Sequence, residues 1–447
     1  MTTGTLVWRA PAIAFRADPF AVPPADALVH EPDAMLVVRD GRIVEFGAAE
    51  VVRRTLAPDV GVEHFPNGLL LPGFIDTHVH YPQLGIVGAS GQPLLGWLSR
   101  FTFPAERAFA DPVHAGEVAR RFIAELQRHG TTTAMVFGTV HAGSADALFE
   151  AAEPSGLRII GGKTLMDRNT PPGLSDTAQS GYDASKRLIE QWHGRGRLGY
   201  AITPRFVATS SPAQLDAAAA LWREFPGTWL QSHVSENLDE VAWVHRLFPE
   251  AIDYVDVLDR FGLLAPRAVY GHGIHLSDRE RRRLGETGTA IAHCPTSNLF
   301  LGSGLFDLAA MQRSTPRVPV ALATDVGAGT TLSMLHTMGA ACQIAQLRRH
   351  PMTPSQALWL ATGGAARAIG LGDVTGNLRA GLDADAVLLD RGATPLLAWR
   401  SALAEDAESL LGVLMTLGDD RTVGGVLAGG RVVKRPSGSG GVPDPGS

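Results

Sequence analysis

The sequence predicts an α/β protein, a closed (β/α)8 TIM barrel flanked by a small composite β-sandwich domain that both chain ends build. Three observations carry that expectation. Short β-branched runs alternate with helical stretches through the middle of the chain, strand and hairpin patterns recur at both ends, and histidines and acids collect at the ends of the central strands. Alternating strand and helix imply a parallel sheet, and eight such units over roughly 300 residues suit a closed barrel better than an open doubly wound sheet.

Composition permits this. The chain has 447 residues, 45% hydrophobic and 19% charged, with 50 Gly and 29 Pro implying many turns; this is ordinary globular composition with ample core material. A net charge of −6 and a pI near 6.2 give no general attraction for nucleic acid or anionic lipid, so a small molecule is the expected partner. Cys294 and Cys342 are the only cysteines, too few for a disulfide framework and suited to a reducing compartment. The opening MTTGTLVWRAPAIAF lacks the basic start and apolar core of a secretion signal, and no run of about 20 apolar residues occurs. A soluble cytoplasmic protein, with no membrane partner, is expected.

Taken in order, Thr5–Val7, Ala12–Phe15 and Ala34–Val38 read as strands, and Asp40-Gly41 after the last is a strong hairpin signal. A matching pattern returns in DADAVLLD at Asp383–Asp390 and in Val423–Arg435, where Gly429-Gly430 marks a second hairpin. Residues 1–70 and 374–436 are therefore expected to form one β-domain and residues 71–373 the barrel. Residues 437–447, with almost no apolar content, are expected to be a disordered tail.

The eight barrel strands are expected at Leu69–Ile75, Thr131–Phe137, Arg158–Gly161, Leu198–Ile202, Thr228–Ser232, Ala268–Tyr270, Ala290–Ala292 and Val320–Ala323. Amphipathic helices fill the intervals, as in Val113–His129, which Gly130 closes. No Gly-x-Gly-x-x-Gly follows the first strand, which lowers a dinucleotide-binding alternative. Helices at Leu332–Arg348 and Thr353–Ala361 would pack outside the barrel.

Barrels of this kind carry their active sites at the C-terminal mouth, so polar residues closing the strands are the candidates. His78 and His80 close the first strand, His233 the fifth, His272 the sixth, His293 the seventh and Asp325 the eighth. In an extended strand His78 and His80 face the same way, close enough to share one metal ion. With His233 and Asp325 they complete an N/O ligand set for a single metal, and LGYAIT at Leu198–Thr203 offers no lysine to bridge a second. Zinc is expected, and iron stays open because imidazole–carboxylate sites accept both. Glu236, read as part of the first turn of a helix Glu236–Phe248, is placed to carry a proton from the metal-activated water to a leaving group. Its alternative role is a helix N-terminal charge. Asp325 can accept the water proton while ligating, and His272 can orient the water and offset developing negative charge. His114, His129, His141 and His350 read as solvated or capping histidines.

At this point the sequence resembles a known family, the amidohydrolases, in their mononuclear deaminase and chlorohydrolase branch. The likeness runs from about residue 65 to 370 through PGFIDTHVHYPQ (Pro72–Gln83), MDRN (Met166–Asn169), SHVSEN (Ser232–Asn237), YGHGIHL (Tyr270–Leu276), AHCPTSNLFLGSGLF (Ala292–Phe306) and ATDVGAG (Ala323–Gly329). The resemblance implies hydrolytic deamination with guanine as substrate, a homodimer, and contact with the base by Gln83, Arg205 and Phe206, joined by His233 and His272. The chemistry of the residues agrees: guanine presents O6 and N7 as adjacent acceptors that an Arg fork binds together, and a phenyl face stacks on a purine. Without the resemblance Arg205 reads as a surface residue, Phe206 as core and Gln83 as a solvated loop residue. His293, Asn298 and Gly302–Gly304 are expected to form a mobile rim. Two rivals stay open: a deaminase of another aminated heterocycle, such as an oxidised purine, pterin or triazine, and a catalytically silent assembly protein of the same fold. The intact ligand set argues against the second.

Overall fold

The computed structural model describes residues 4–89 and 92–435. Its central sheet contains strands at Phe74–His80, Thr131–Phe137, Arg158–Gly162, Leu198–Pro204, Trp229–Val234, Ala268–His272, Ala290–His293 and Val320–Leu322, paired parallel in that order. The Thr77 hydroxyl donates to the Leu322 carbonyl at 3.0 Å, Asp325 N–H to the His78 carbonyl at 2.9 Å, and His80 N–H to the Val326 carbonyl at 2.7 Å. These bonds join the first strand to the eighth and make the sheet a barrel. Ile75, Met135, Ile160, Ala201, Val269, Ala292 and Ala321 fill its interior.

The outer helices follow from local signals. Asp111 caps the helix Pro112–Arg128 by accepting from Val113 N–H, with Pro112 supplying the preset first turn. Ala115, Ala119, Phe122, Ile123 and Leu126 form its buried stripe, and Gly130 turns the chain at φ +79°. The expected outer helices appear at Met334–Leu347 and Pro354–Leu360. No helix among the described residues is long and apolar enough to cross a membrane.

The first strand departs from expectation. Gly68–Pro72 belongs to the sheet of the chain ends, where it pairs antiparallel with Ala386–Asp390, and the barrel strand starts at Phe74. The switch falls on Gly73, where any side chain would lie 2.3 Å from the Thr132 hydroxyl. An unbroken apolar run hides this change of sheet, because both halves are buried and hydrophobic periodicity cannot separate them. His78 and His80 thus lie within the strand rather than beyond it.

Both ends of the chain form one hydrogen-bonded sheet, in which Leu6–Phe15 is a single strand with an irregularity between Ala10 and Ala12. The two predicted hairpins are present, with φ +51° and +80° at Asp40-Gly41 and +55° and +75° at Gly429-Gly430, the left-handed pair such turns need. The turns touch: a side chain on Gly430 would lie 2.5 Å from Gly41 Cα. The sheet's far edges therefore meet, enclosing Trp8, Leu36, Leu70, Leu388 and Leu427. Asp385 locks this unit to the barrel, accepting from Arg197 at 2.7 and 2.8 Å, Thr375 at 2.7 Å and Gly429 N–H at 2.9 Å. Residues 437–447, expected to be a disordered tail, lie outside the described residues.

Candidate active site

The strand ends converge as the sequence implied. His78 Nε2 lies 3.3 Å from His80 Nε2, which lies 3.2 Å from His233 Nε2, and Asp325 Oδ1 stands 3.4 Å from both His78 Nε2 and His80 Nε2. One ligand atom from each of the four lies within 4.8 Å of the others. Burial lowers the proton affinity of all three imidazoles, that of His80 to about 4 and that of His233 well below the ordinary value. His233 Nδ1 donates to the Arg205 carbonyl at 2.6 Å, which turns a bare Nε2 toward the centre. Three imidazole Nε2 atoms and a carboxylate oxygen gathered within 4.8 Å of one another form a cluster that a shared cation would stabilise. The donor set therefore fits a single metal ion.

The backbone holds this arrangement under strain. His272 and Asp325 adopt φ +74° and +51°, and Ser235, just before Glu236, adopts +48°; non-glycine residues occupy that region rarely and at a cost of about 1–3 kcal/mol. Asp76, absent from the sequence reading, fixes the Asp325 turn. Its carboxylate accepts from Thr324 N–H and the Thr324 hydroxyl, and from His78 N–H, beneath the ligands. Burial pushes it up to about 6. Gly271 leaves room for the His78 ring, since a side chain there would lie 2.7 Å from its Cε1.

Glu236 differs from its expected setting. The helix runs from Leu238 to Leu247 with Asn237 as its cap, so Glu236 precedes the helix and does not serve as its N-terminal charge; Glu240 does, closing the capping box. The reason is the Ser235 turn, which swings Glu236 into the mouth. There its Oε2 lies 3.4 Å from His272 Nε2, and Oε1 accepts from the Ser303 hydroxyl at 3.2 Å. Burial, with Asp325 and Glu240 nearby, raises its carboxyl well above the usual range. Asn298 Oδ1 lies 2.9 Å from His272 Nδ1, which fixes that nitrogen as the donor and leaves Nε2 facing Asp325 Oδ2 at 3.7 Å.

The expected rim is not a rim. His293 is buried and stacked on Phe306 at 4.3 Å, and Asn298 is buried behind His272. Within Gly302–Gly304, Ser303 reaches Glu236, a contact the glycine-rich reading passed over.

Gln83, Arg205 and Phe206 line the same cavity as His80, His233, Glu236, His272 and Asp325, against an apolar wall that includes Trp97, Leu98 and Leu301. None is a surface residue: Gln83 and Arg205 are each 2% exposed and Phe206 5%. Arg205 directly follows the fourth barrel strand. Its Nη1 donates to both oxygens of Glu106 at 2.9 and 2.6 Å, and Gln83 Nε2 donates to Glu106 Oε1 at 3.0 Å. Glu106, fully buried in the short helix Phe103–Arg107, was not foreseen. The Gln83 side-chain oxygen, Oε1, accepts from Gly327 N–H at 3.3 Å, beside Asp325.

Comparison with known proteins places this geometry in context. The amidohydrolase family model matches residues 69–433. The guanine deaminase of Escherichia coli is 46% identical over 92% of this chain and 93% of its own. The solved structure of E. coli guanine deaminase superposes with a TM-score of 0.93, at 44% identity, over 96% of this chain and 99% of that one. Guanine deaminase from C. acetobutylicum, solved with guanine bound in the active site, superposes with a TM-score of 0.86, at 28% identity, over 96% of this chain and all of that one. An adenosine deaminase from Xanthomonas campestris with bound zinc is 25% identical, with a TM-score of 0.81 over 96% of this chain and 93% of its own.

Proposed function

The chain belongs to the amidohydrolase family, and from that premise we propose that its site hydrolyses guanine to xanthine and ammonia. The observation that carries this reading is the meeting, around one cavity, of a four-residue cluster able to hold a metal with Arg205, Gln83 and Phe206. The names of its relatives support it, one of them holding guanine.

His78, His80, His233 and Asp325 would hold a single ion, zinc in preference to iron, whose chemistry is to make water acidic enough to attack at neutral pH. Arg205 uses Nη1 on Glu106, so its Nε–Nη2 edge is the fork for guanine O6 and N7. Phe206 lies against the purine face, while Gln83 contacts a ring edge with C2 turned toward His80 and His233. Burial raises the Glu236 carboxyl well above its usual range, which suits it to hold a proton, and it delivers a proton to the departing amine. Asp325 takes the proton of the attacking water, and His272, oriented by Asn298, balances charge at the tetrahedral carbon. We further assign the protein to the cytoplasm, as a homodimer; its two free thiols suit a reducing compartment.

The test is guanine turnover, followed by loss of purine absorbance, before and after chelation and on adding back zinc or iron. Turnover lost on chelation and restored by metal is expected. Metal-loaded enzyme that leaves guanine intact but releases ammonia from another heterocycle would remove the substrate. Freshly purified protein without a transition metal, and inactive when metal is supplied, would favour the silent assembly protein.

A further inference from the structure

Arg205 has a second property besides its fork. It is a buried cation at the base of a pocket meant for an uncharged ring, and a bare guanidinium there would favour anions. Glu106 removes that bias. Its carboxylate is entirely buried, takes both bonds from Arg205 Nη1, and does not line the cavity, so it neutralises the arginine from behind while the Nε–Nη2 edge stays available. Its Oε1 also accepts from Gln83 Nε2, so one carboxylate orients two of the three residues assigned to the base.

We propose that Glu106 is a positioning residue that sets the charge preference of the site, making it accept a neutral aminopurine and release an anionic dioxopurine. The inference rests on guanine as substrate. Replacing the exocyclic amine by oxygen gives xanthine, which loses a ring proton near neutral pH far more readily than guanine does. With its arginine already paired, the pocket offers that anion no charge from Arg205; the metal centre remains, with the Asp325 and Glu236 carboxyls beside it, so the arginine adds nothing to hold the product and it leaves. With Glu106 uncharged, Arg205 would hold it.

Glu106→Gln keeps the length of the side chain and an oxygen for Arg205 while removing the charge. Binding of xanthine and of hypoxanthine, a 6-oxopurine that stays neutral over a wider range, is measured by competition against guanine from about pH 6 to about pH 9, a span that brackets the ordinary imidazole and thiol pKa values. Metal content is determined alongside. In the native enzyme, xanthine binding should weaken as xanthine ionises while hypoxanthine binding stays level. In the variant that trend should reverse, with anionic xanthine bound about tenfold tighter than by the native enzyme, the effect of one uncovered charge a few ångström away. Hypoxanthine should change less than about threefold, within the spread of a lost hydrogen bond. Equal shifts for both ligands would mean that Glu106 only orders Arg205, and would overturn the proposal. Should the variant not fold, native enzyme that binds the xanthine anion more tightly than neutral xanthine would overturn it as well. A native enzyme that does not turn over guanine at all would instead defeat the functional reading beneath it.

Discussion

Replacing Glu236 by Gln separates catalysis from binding more cleanly than any other change in the site. Gln is nearly isosteric, its amide oxygen can keep the Ser303 bond made at 3.2 Å, and Glu236 is outside the four-residue metal cluster. What vanishes is a carboxyl whose proton affinity burial raises, 3.4 Å from His272 Nε2. A positioned acid–base group contributes about 10²- to 10⁴-fold to rate, equivalent to about 2.7–5.5 kcal/mol of transition-state stabilisation. The variant should therefore lose about 10²- to 10⁴-fold in kcat while KM changes little. Steady-state guanine hydrolysis with metal analysis of the same sample is the assay. Near-native turnover with metal bound would refute the assignment. Because Glu236 precedes the Asn237 cap, a mere helix-charge role is already poorly matched, and it would predict a lowered melting temperature with intact kcat.

Three further outcomes follow from the geometry. Gln83→Ala strips one donor from Glu106 and one acceptor from Gly327 N–H; it should raise KM for guanine by about tenfold, as lost bonds of this kind do, with metal content unchanged, whereas metal loss would count against the division between ligands and base contacts. Gly271→Ala puts a methyl 2.7 Å from the His78 ring and should cost about 10- to 100-fold in metal affinity, read by competition with a chelator; an unchanged affinity would mean the ring relaxes freely. Burial pushes the Asp385 carboxyl up, but Arg197, Thr375 and Gly429 outweigh it and leave it below its ordinary value. Its stabilising effect is thus complete above about pH 4 and lost as pH falls through the lower folded value. Asp385→Ala should cost about 3–5 kcal/mol by removing the near partner of Arg197 and leaving it only Asp383 at 4.0 Å, and unfolding curves of native and variant protein should converge in acid.

What the sequence made legible, and what it hid, divides along the range of the physics. The proposed metal-binding cluster could be found because each of its residues lies at or near the end of a strand, and a parallel barrel brings strand ends together whatever the intervening length; His78 and Asp325 are remote in the chain yet 3.4 Å apart. The hairpins were legible because their left-handed turns restrict the residue type. The start of the first barrel strand was not, since Leu69–Ile75 is apolar on both sides of the Gly73 switch and the cause of the break is a distant neighbour, Thr132. Glu236 was read into the first turn of a helix that it in fact precedes, because a single strained residue, Ser235, shifts the helix start beyond it.

Glu106 marks a deeper limit. It sits 23 residues from Gln83 and 99 from Arg205, in a short helix with no spacing rule that relates the three. Yet it had to have a counterpart of some kind. Once Arg205 is placed inside the protein at 2% exposure, an unpaired guanidinium is too costly to keep, so a buried acid is required even before its position is known. The same reasoning applies to Asp76, whose acceptors meet Thr324 and His78 N–H and so explain how the Asp325 turn survives its strain. Residues that touch the chemistry announce themselves by type and position along strands. Those that hold them announce themselves only through a debt of charge or hydrogen bonding that burial creates, and the fold must be known before that debt can be assigned.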